Sequence, residues 1–180
     1  KYFSAEELKK IQSKILSNSE IIGLGENRIE SILAKNIPRE KCHFIGNIQS
    51  RDITKIAEKC SVVHSLCKIS HAQKFSHQPK IPLFFIQINV SNEPQKGGLS
   101  PTDLDIFLSE IPQNLSIIGL SAIGSSSASR EQKEQEFQML LDLKNKYNSD
   151  WKISAGTSVD YETALEKNID LVRIGKKLFT

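Results

Sequence analysis

Methionine and tryptophan occur once each, at Met139 and Trp151, and cysteine three times in 180 residues. Cys42, Cys60 and Cys67 are odd in number and form no C-x-x-C, which excludes a paired disulfide framework and points to thiols of a reducing compartment. Nothing in sequence beside them would activate a thiolate, so a cysteine nucleophile is set aside. Charge of one sign is not in excess either. The 24 Lys and Arg against 21 Asp and Glu leave a net charge of +3, too small to mark a nucleic-acid or membrane surface. No apolar run approaches the roughly 18 residues of a membrane span, and no charged-then-apolar leader opens the sequence. A cytoplasmic protein with neither nucleic acid nor membrane as partner is expected. His43, His64, His71 and His77 have no metal-ligand spacing, so no metal is expected. Met139 being the only methionine, no initiator is present, and a further segment is expected upstream of Lys1.

What is present is an ordinary globular composition, 38% hydrophobic and 25% charged, long enough for one packed domain over residues 1–180. Ser4 and Glu7 form a capping box ahead of Leu8, Ile11 and Ile15 at helical spacing. From there, short apolar runs alternate with helical periodicities. Strands are predicted over 21–24, 43–45, 61–64, 83–90, 116–124, 152–155 and 171–174. Helices are predicted to carry Ile29, Ile32 and Leu33, then Ile53, Ile56 and Ala57, then Leu66, Ile69, Ala72 and Phe75. Leu104, Phe107, Leu108 and Ile111 mark the next, entered through Ser100-Pro101, a cap residue before a first-turn proline. Phe137, Leu140 and Leu141 mark a helix running to about Tyr147. Tyr161, Ala164 and Leu165 mark a last one capped by Thr157 or Ser158.

Strict strand–helix alternation implies parallel strands joined by helical crossovers. A helix precedes the first of the strands, so one strand upstream of Lys1 would complete eight. The fold class is therefore α/β, a (β/α)8 TIM-like barrel with its first strand upstream of residue 1.

In such barrels chemistry sits at the C-terminal strand ends, and phosphate is frequently held after strands seven and eight. The stretch KISAGTSVDYETALEKNIDLVRIGKK, 152–177, spans both of those ends. It gathers Ser154, Thr157, Ser158 and Arg173 around Gly156 and Gly175, whose backbone N–H groups can approach an anion. A helix starting near Ser158 would aim its positive end the same way. Other strand ends carry Glu26, Asn27 and Arg28, then His43, Asn47 and Gln49, then Lys96 in a glycine-softened loop. Each of these is individually a weak signal. Gly23-x-Gly25 is not a dinucleotide fingerprint, because position 28 is Arg and no ribose-binding acid follows.

The segments GENRIE, HFIGNIQS, VHSL, IQINVSNEPQKGGL, GLSAIG, GTSVDYETAL and VRIG, in this order, resemble the pyridoxal phosphate homeostasis protein family. The resemblance spans nearly the whole chain and implies a barrel similar to that of alanine racemase. It also implies pyridoxal 5′-phosphate (PLP) as cofactor. Lys1 would hold the aldehyde as an internal aldimine, its amine made nucleophilic by a lowered pKa at the barrel mouth. Ser158, Arg173 and Gly175 would hold the phosphate, Asn27 and His43 would lie near the ring, and Lys96 would match a second lysine of the family. The sequence departs from the family pattern at Ala155 or Ser121, where methionine is usual, and the family's Gly-Glu-Arg after the last strand has no counterpart before Thr180.

Alanine racemase needs a second domain and an opposing acid–base residue, and neither is evident in this sequence. The expected function is therefore non-enzymatic, a PLP carrier of intracellular vitamin B6 homeostasis. It would be a monomer, with PLP-dependent apo-enzymes as recipients. The alternatives are a small PLP-dependent racemase or lyase, and a barrel for another phosphate-bearing metabolite.

Overall fold

The computed structural model describes residues 4, 6–8, 17–91, 93, 96–124 and 128–175. Lys1, Ile11 and Ile15 lie outside them. At the start, the capping box closes as the sequence predicts: the Ser4 amide donates to Glu7 Oε2 at 2.8 Å and the Glu7 amide donates to Ser4 Oγ at 3.2 Å. Leu8 follows, buried in the core.

Strands β1 (Leu24–Glu26), β2 (Cys42–Phe44), β3 (Val62–Leu66), β4 (Leu83–Ile88), β5 (Ser116–Ala122), β6 (Lys152–Thr157) and β7 (Leu171–Arg173) form one sheet. They pair in sequence order, all parallel. Between them run α1 (Ile29–Lys35), α2 (Ile53–Lys59), α3 (Ile69–Ser76), α4 (Leu104–Glu110), α5 (Arg130–Tyr147) and α6 (Tyr161–Glu166). This is the predicted alternation, and a nearly closed barrel results. His64 on β3 and Ser154 on β6 are three strand positions apart, about 14 Å in a flat sheet at ~4.8 Å per strand. Their side chains nevertheless meet at 2.9 Å, so the sheet curls round and brings its distant strands together.

Two buried layers follow from the strand period of two. Outward-facing strand residues such as Phe84 and Ile153 join the helix-borne Ile32, Ile56, Phe75, Leu104, Phe137 and Leu140 in one continuous core with little or no exposure. The other layer is polar. His43 Nδ1 lies 3.0 Å from His64 Nε2, His64 Nδ1 lies 2.9 Å from Ser154 Oγ, and Ser121 Oγ donates to the His64 carbonyl. Phe85 stacks on His64 with centroids 4.5 Å apart and stands outside the continuous apolar core. Branched aliphatics are the usual filling of such a lumen. Here a hydrogen-bonded histidine pair takes their place.

Helix α5 begins at a capping box formed by Ser129 and Gln132. Helix α6 begins later than the sequence predicts. Its N-cap is Asp160 rather than Thr157 or Ser158, because Asp160 Oδ1 accepts from the Thr157 amide at 2.6 Å and from the Thr157 hydroxyl at 2.8 Å. That brace spends the Thr157–Asp160 stretch on a turn and delays the helix to Tyr161. With only six residues, α6 does not supply the dipole end expected near Ser158. Gly156 sits at φ +84°, and a Cβ there would lie 2.7 Å from Ala164 Cβ, so the turn and the approach of α6 both demand glycine.

Candidate functional site

At the C-terminal strand ends opens a cavity of about 560 Å3. One side is built by Gly25, Asn27 and Arg28 leaving β1 and by Ile45, Gly46, Asn47 and Gln49 leaving β2. The other is built by Thr157, Ser158 and Val159 after β6 and by Arg173, Ile174 and Gly175 at β7, with Ile123 after β5. The two ends of the sequence-ordered sheet thus face one open-mouthed cavity. Gly46 is fixed by steric necessity, since a Cβ there would lie 2.1 Å from the Asn27 carbonyl oxygen. The two loops touch through their backbones, and this contact sets where Asn27 stands.

The β6–β7 side has the makings of an anion cradle. Ser158 Oγ accepts from the Gly175 amide at 3.4 Å, a long bond that leaves the serine proton free to donate and that an anion can replace at the amide. Arg173 donates to the Ala122 carbonyl, which fixes its guanidinium at the end of β5 beside the cavity it lines. Burial lowers its pKa to about 10, with Asp160 opposing the shift, so it stays charged at neutral pH in surroundings that disfavour the charge. Thr157 holds the loop instead of offering its proton, because its hydroxyl is committed to Asp160.

Of the residues singled out from the sequence, Asn27, Thr157, Ser158, Arg173 and Gly175 line this cavity. His43, Ser154 and Lys96 are not among its walls. Ser154 is fully buried and bonded to His64. His43 pairs with His64 below, its ring packed over Gly23. Burial first, and then the Lys41 charge, lowers the His43 pKa to about 4. Burial, then His43 and Arg173, lowers that of His64 to about 2. Both rings are neutral at physiological pH. Lys96 reaches instead to the Gly124 carbonyl at 3.0 Å and to Glu93 Oε1 at 2.8 Å, tying the β4–α4 loop to the end of β5. Lys1 lies outside the described residues. Sequence reasoning noted Arg28, Asn47 and Gln49 only as polar strand-end groups, and it missed Asp160, whose role is visible only once the turn is folded.

The fold and the mouth geometry define the class first: a parallel β/α barrel of the alanine racemase kind, with Arg28, Arg173 and side-chain amides and hydroxyls at its rim. Alanine racemase of Clostridium difficile 630 superposes with a TM-score of 0.72 at 11% identity, over 97% of this chain and 49% of that one. PipY of Synechococcus elongatus PCC7942, solved with PLP bound, superposes with a TM-score of 0.80 at 22% identity, over 100% of this chain and 89% of that one. No family model matches the sequence. A pyridoxal phosphate homeostasis protein of Pseudomonas aeruginosa is 35% identical over 169 residues, covering 86% of this chain and 72% of its own length. The chain belongs to the pyridoxal phosphate homeostasis protein family.

Proposed function

We propose that this protein binds pyridoxal 5′-phosphate at the barrel mouth and serves PLP homeostasis as a carrier without turnover. The observation that carries the reading is the convergence of Ser158, Arg173 and Gly175 on one wall of the cavity. A half-buried cation with no ion pair among the described residues, beside a free hydroxyl proton and an amide held only by a long bond, fits a phosphate monoester dianion. Ser158 donates its hydroxyl proton, Gly175 its N–H, and Arg173 its charge. Thr157 keeps the loop in shape through Asp160, and Asn27 flanks the ring from β1. When bound, the vitamer supplies an aldehyde that exchanges reversibly between amines.

Lys1 is the amine this reading assigns to the aldehyde, and Lys96 a second lysine that assists release. The histidines of the polar lumen, His43 and His64, are bonded to one another and to Ser154 and are not among the walls of the cavity, so they bring no acid–base group to the mouth. That arrangement supports holding a cofactor over turning over a substrate. The names of the relatives agree with such a role. In the same reading the protein works as a cytoplasmic monomer and delivers PLP to apo-enzymes that depend on it.

Calorimetric titration with PLP and with pyridoxal, which lacks the phosphate, tests the assignment. The cradle predicts at least about 100-fold tighter binding of PLP, the equivalent of about 3 kcal/mol from charge-assisted bonds. Equal affinities would remove the phosphate reading.

A further inference from the structure

Arg173 is not the only cation on the cavity wall. Arg28 lines the opposite side with Asn27, Asn47 and Gln49, and no carboxylate is present among the described wall residues. Arg28 is exposed, and its side chain makes no hydrogen bond or ion pair among the described residues. The space also continues past it. A second cavity of about 260 Å3 shares Asn27, Arg28, Asn47 and Gln49 with the first and extends toward Glu30 and toward Arg51 and Asp52, which pair with each other at 4.0 Å. The main cavity alone falls within the ~300–1,000 Å3 that encloses a drug-sized ligand, more room than a single-ring phosphate ester fills.

One phosphate accounts for the Ser158, Arg173 and Gly175 wall and leaves Arg28 unemployed. A guanidinium is a planar fork suited to bidentate contact with a carboxylate, and the three neighbouring side-chain amides add donors without adding charge. A single extra cation suits a monoanion better than a second phosphate dianion. The amine partner of an aldehyde that carries a carboxylate beside its nitrogen is an α-amino acid. A cationic amine such as a polyamine would meet like charge at Arg28 and no acid on the described wall of the main cavity.

We propose that the Arg28 end of the cavity binds the α-carboxylate of an amino acid, so that the site takes the phosphorylated vitamer together with an α-amino acid. The proposal rests on the phosphate cradle of the preceding reading and adds to it a second, separate anion contact.

Two stable, non-aldehyde adducts isolate that contact: N-(5′-phosphopyridoxyl)-L-alanine and N-(5′-phosphopyridoxyl)ethylamine, which differ only in the carboxylate. Neither needs Lys1 for binding. By calorimetry the wild-type protein is expected to bind the alanine adduct about 10-fold more tightly, the worth of one charge-assisted contact at a partly wet site. In Arg28→Gln the ratio should fall to near one. A wild-type ratio near one, or a preference that survives in Arg28→Gln, overturns the proposal. If neither adduct binds, the phosphate cradle itself is wrong and this inference falls with it.

Discussion

Acidification from pH 7 to pH 5 should destabilise this protein through its barrel lumen before its carboxylates titrate. His64 is buried and His43 half-buried, 3.0 Å from one another, with Ser154 closing the far side, and their folded pKa values are lowered to about 2 and about 4. In the unfolded chain each histidine titrates near 6.5. Between pH 6.5 and 4 the unfolded state therefore binds protons that the folded state refuses, so stability falls as pH falls. At 1.36 kcal/mol per pKa unit, each histidine removes about 2 kcal/mol between pH 7 and pH 5, about 4 kcal/mol for the pair. That is a large part of a typical domain stability of about 5–15 kcal/mol. His71, whose pKa burial also lowers, acts in the same direction. Urea denaturation at the two pH values measures the loss. His64→Gln retains a polar group for Ser154 and removes one titration, so the pH-dependent loss should shrink by about 2 kcal/mol while that of His71 remains. Equal stability at pH 7 and pH 5, or an unaltered loss in His64→Gln, would refute the reasoning.

Ser158→Ala should weaken PLP binding about 10- to 150-fold, since it deletes a bond to a charged acceptor worth about 1.5–3 kcal/mol, as followed by absorbance titration. Its melting temperature should hardly move, because the hydroxyl has only the long Gly175 bond among the described contacts. Gly46→Ala drives a methyl to within 2.1 Å of the Asn27 carbonyl, so a loss of about 1–3 kcal/mol in urea unfolding is expected, together with weaker PLP binding as Asn27 is pushed aside.

The barrel was legible because its signals are local. The alternating apolar runs at 83–90, 116–124 and 152–155 contain the starts of β4, β5 and β6, and the Ser4–Glu7 capping box formed as spaced. The first strand was read early, at 21–24 instead of Leu24–Glu26, since a three-residue strand gives periodicity little to work with. At the site, Thr157, Ser158, Arg173 and Gly175 were found because two strand ends and their loops lie within one short stretch of sequence. The start of α6 was misjudged by the same stretch. Thr157 and Ser158 are good cap residues by type, and nothing in their spacing reveals that Asp160 reaches back to take the Thr157 amide and hydroxyl. The lumen was beyond reach for a different reason. His64 and Ser154 are 90 positions apart, and only the closure of the sheet brings them into contact.

The most direct test of the central claim is an amide chemical-shift map of the labelled protein as PLP is added. The account predicts that the largest perturbations fall at Thr157, Ser158, Val159, Ile174 and Gly175, with the Arg173 side-chain resonance moving alongside them. Maximal shifts at the N-terminal strand ends or on the outer helices, with those residues undisturbed, would contradict it.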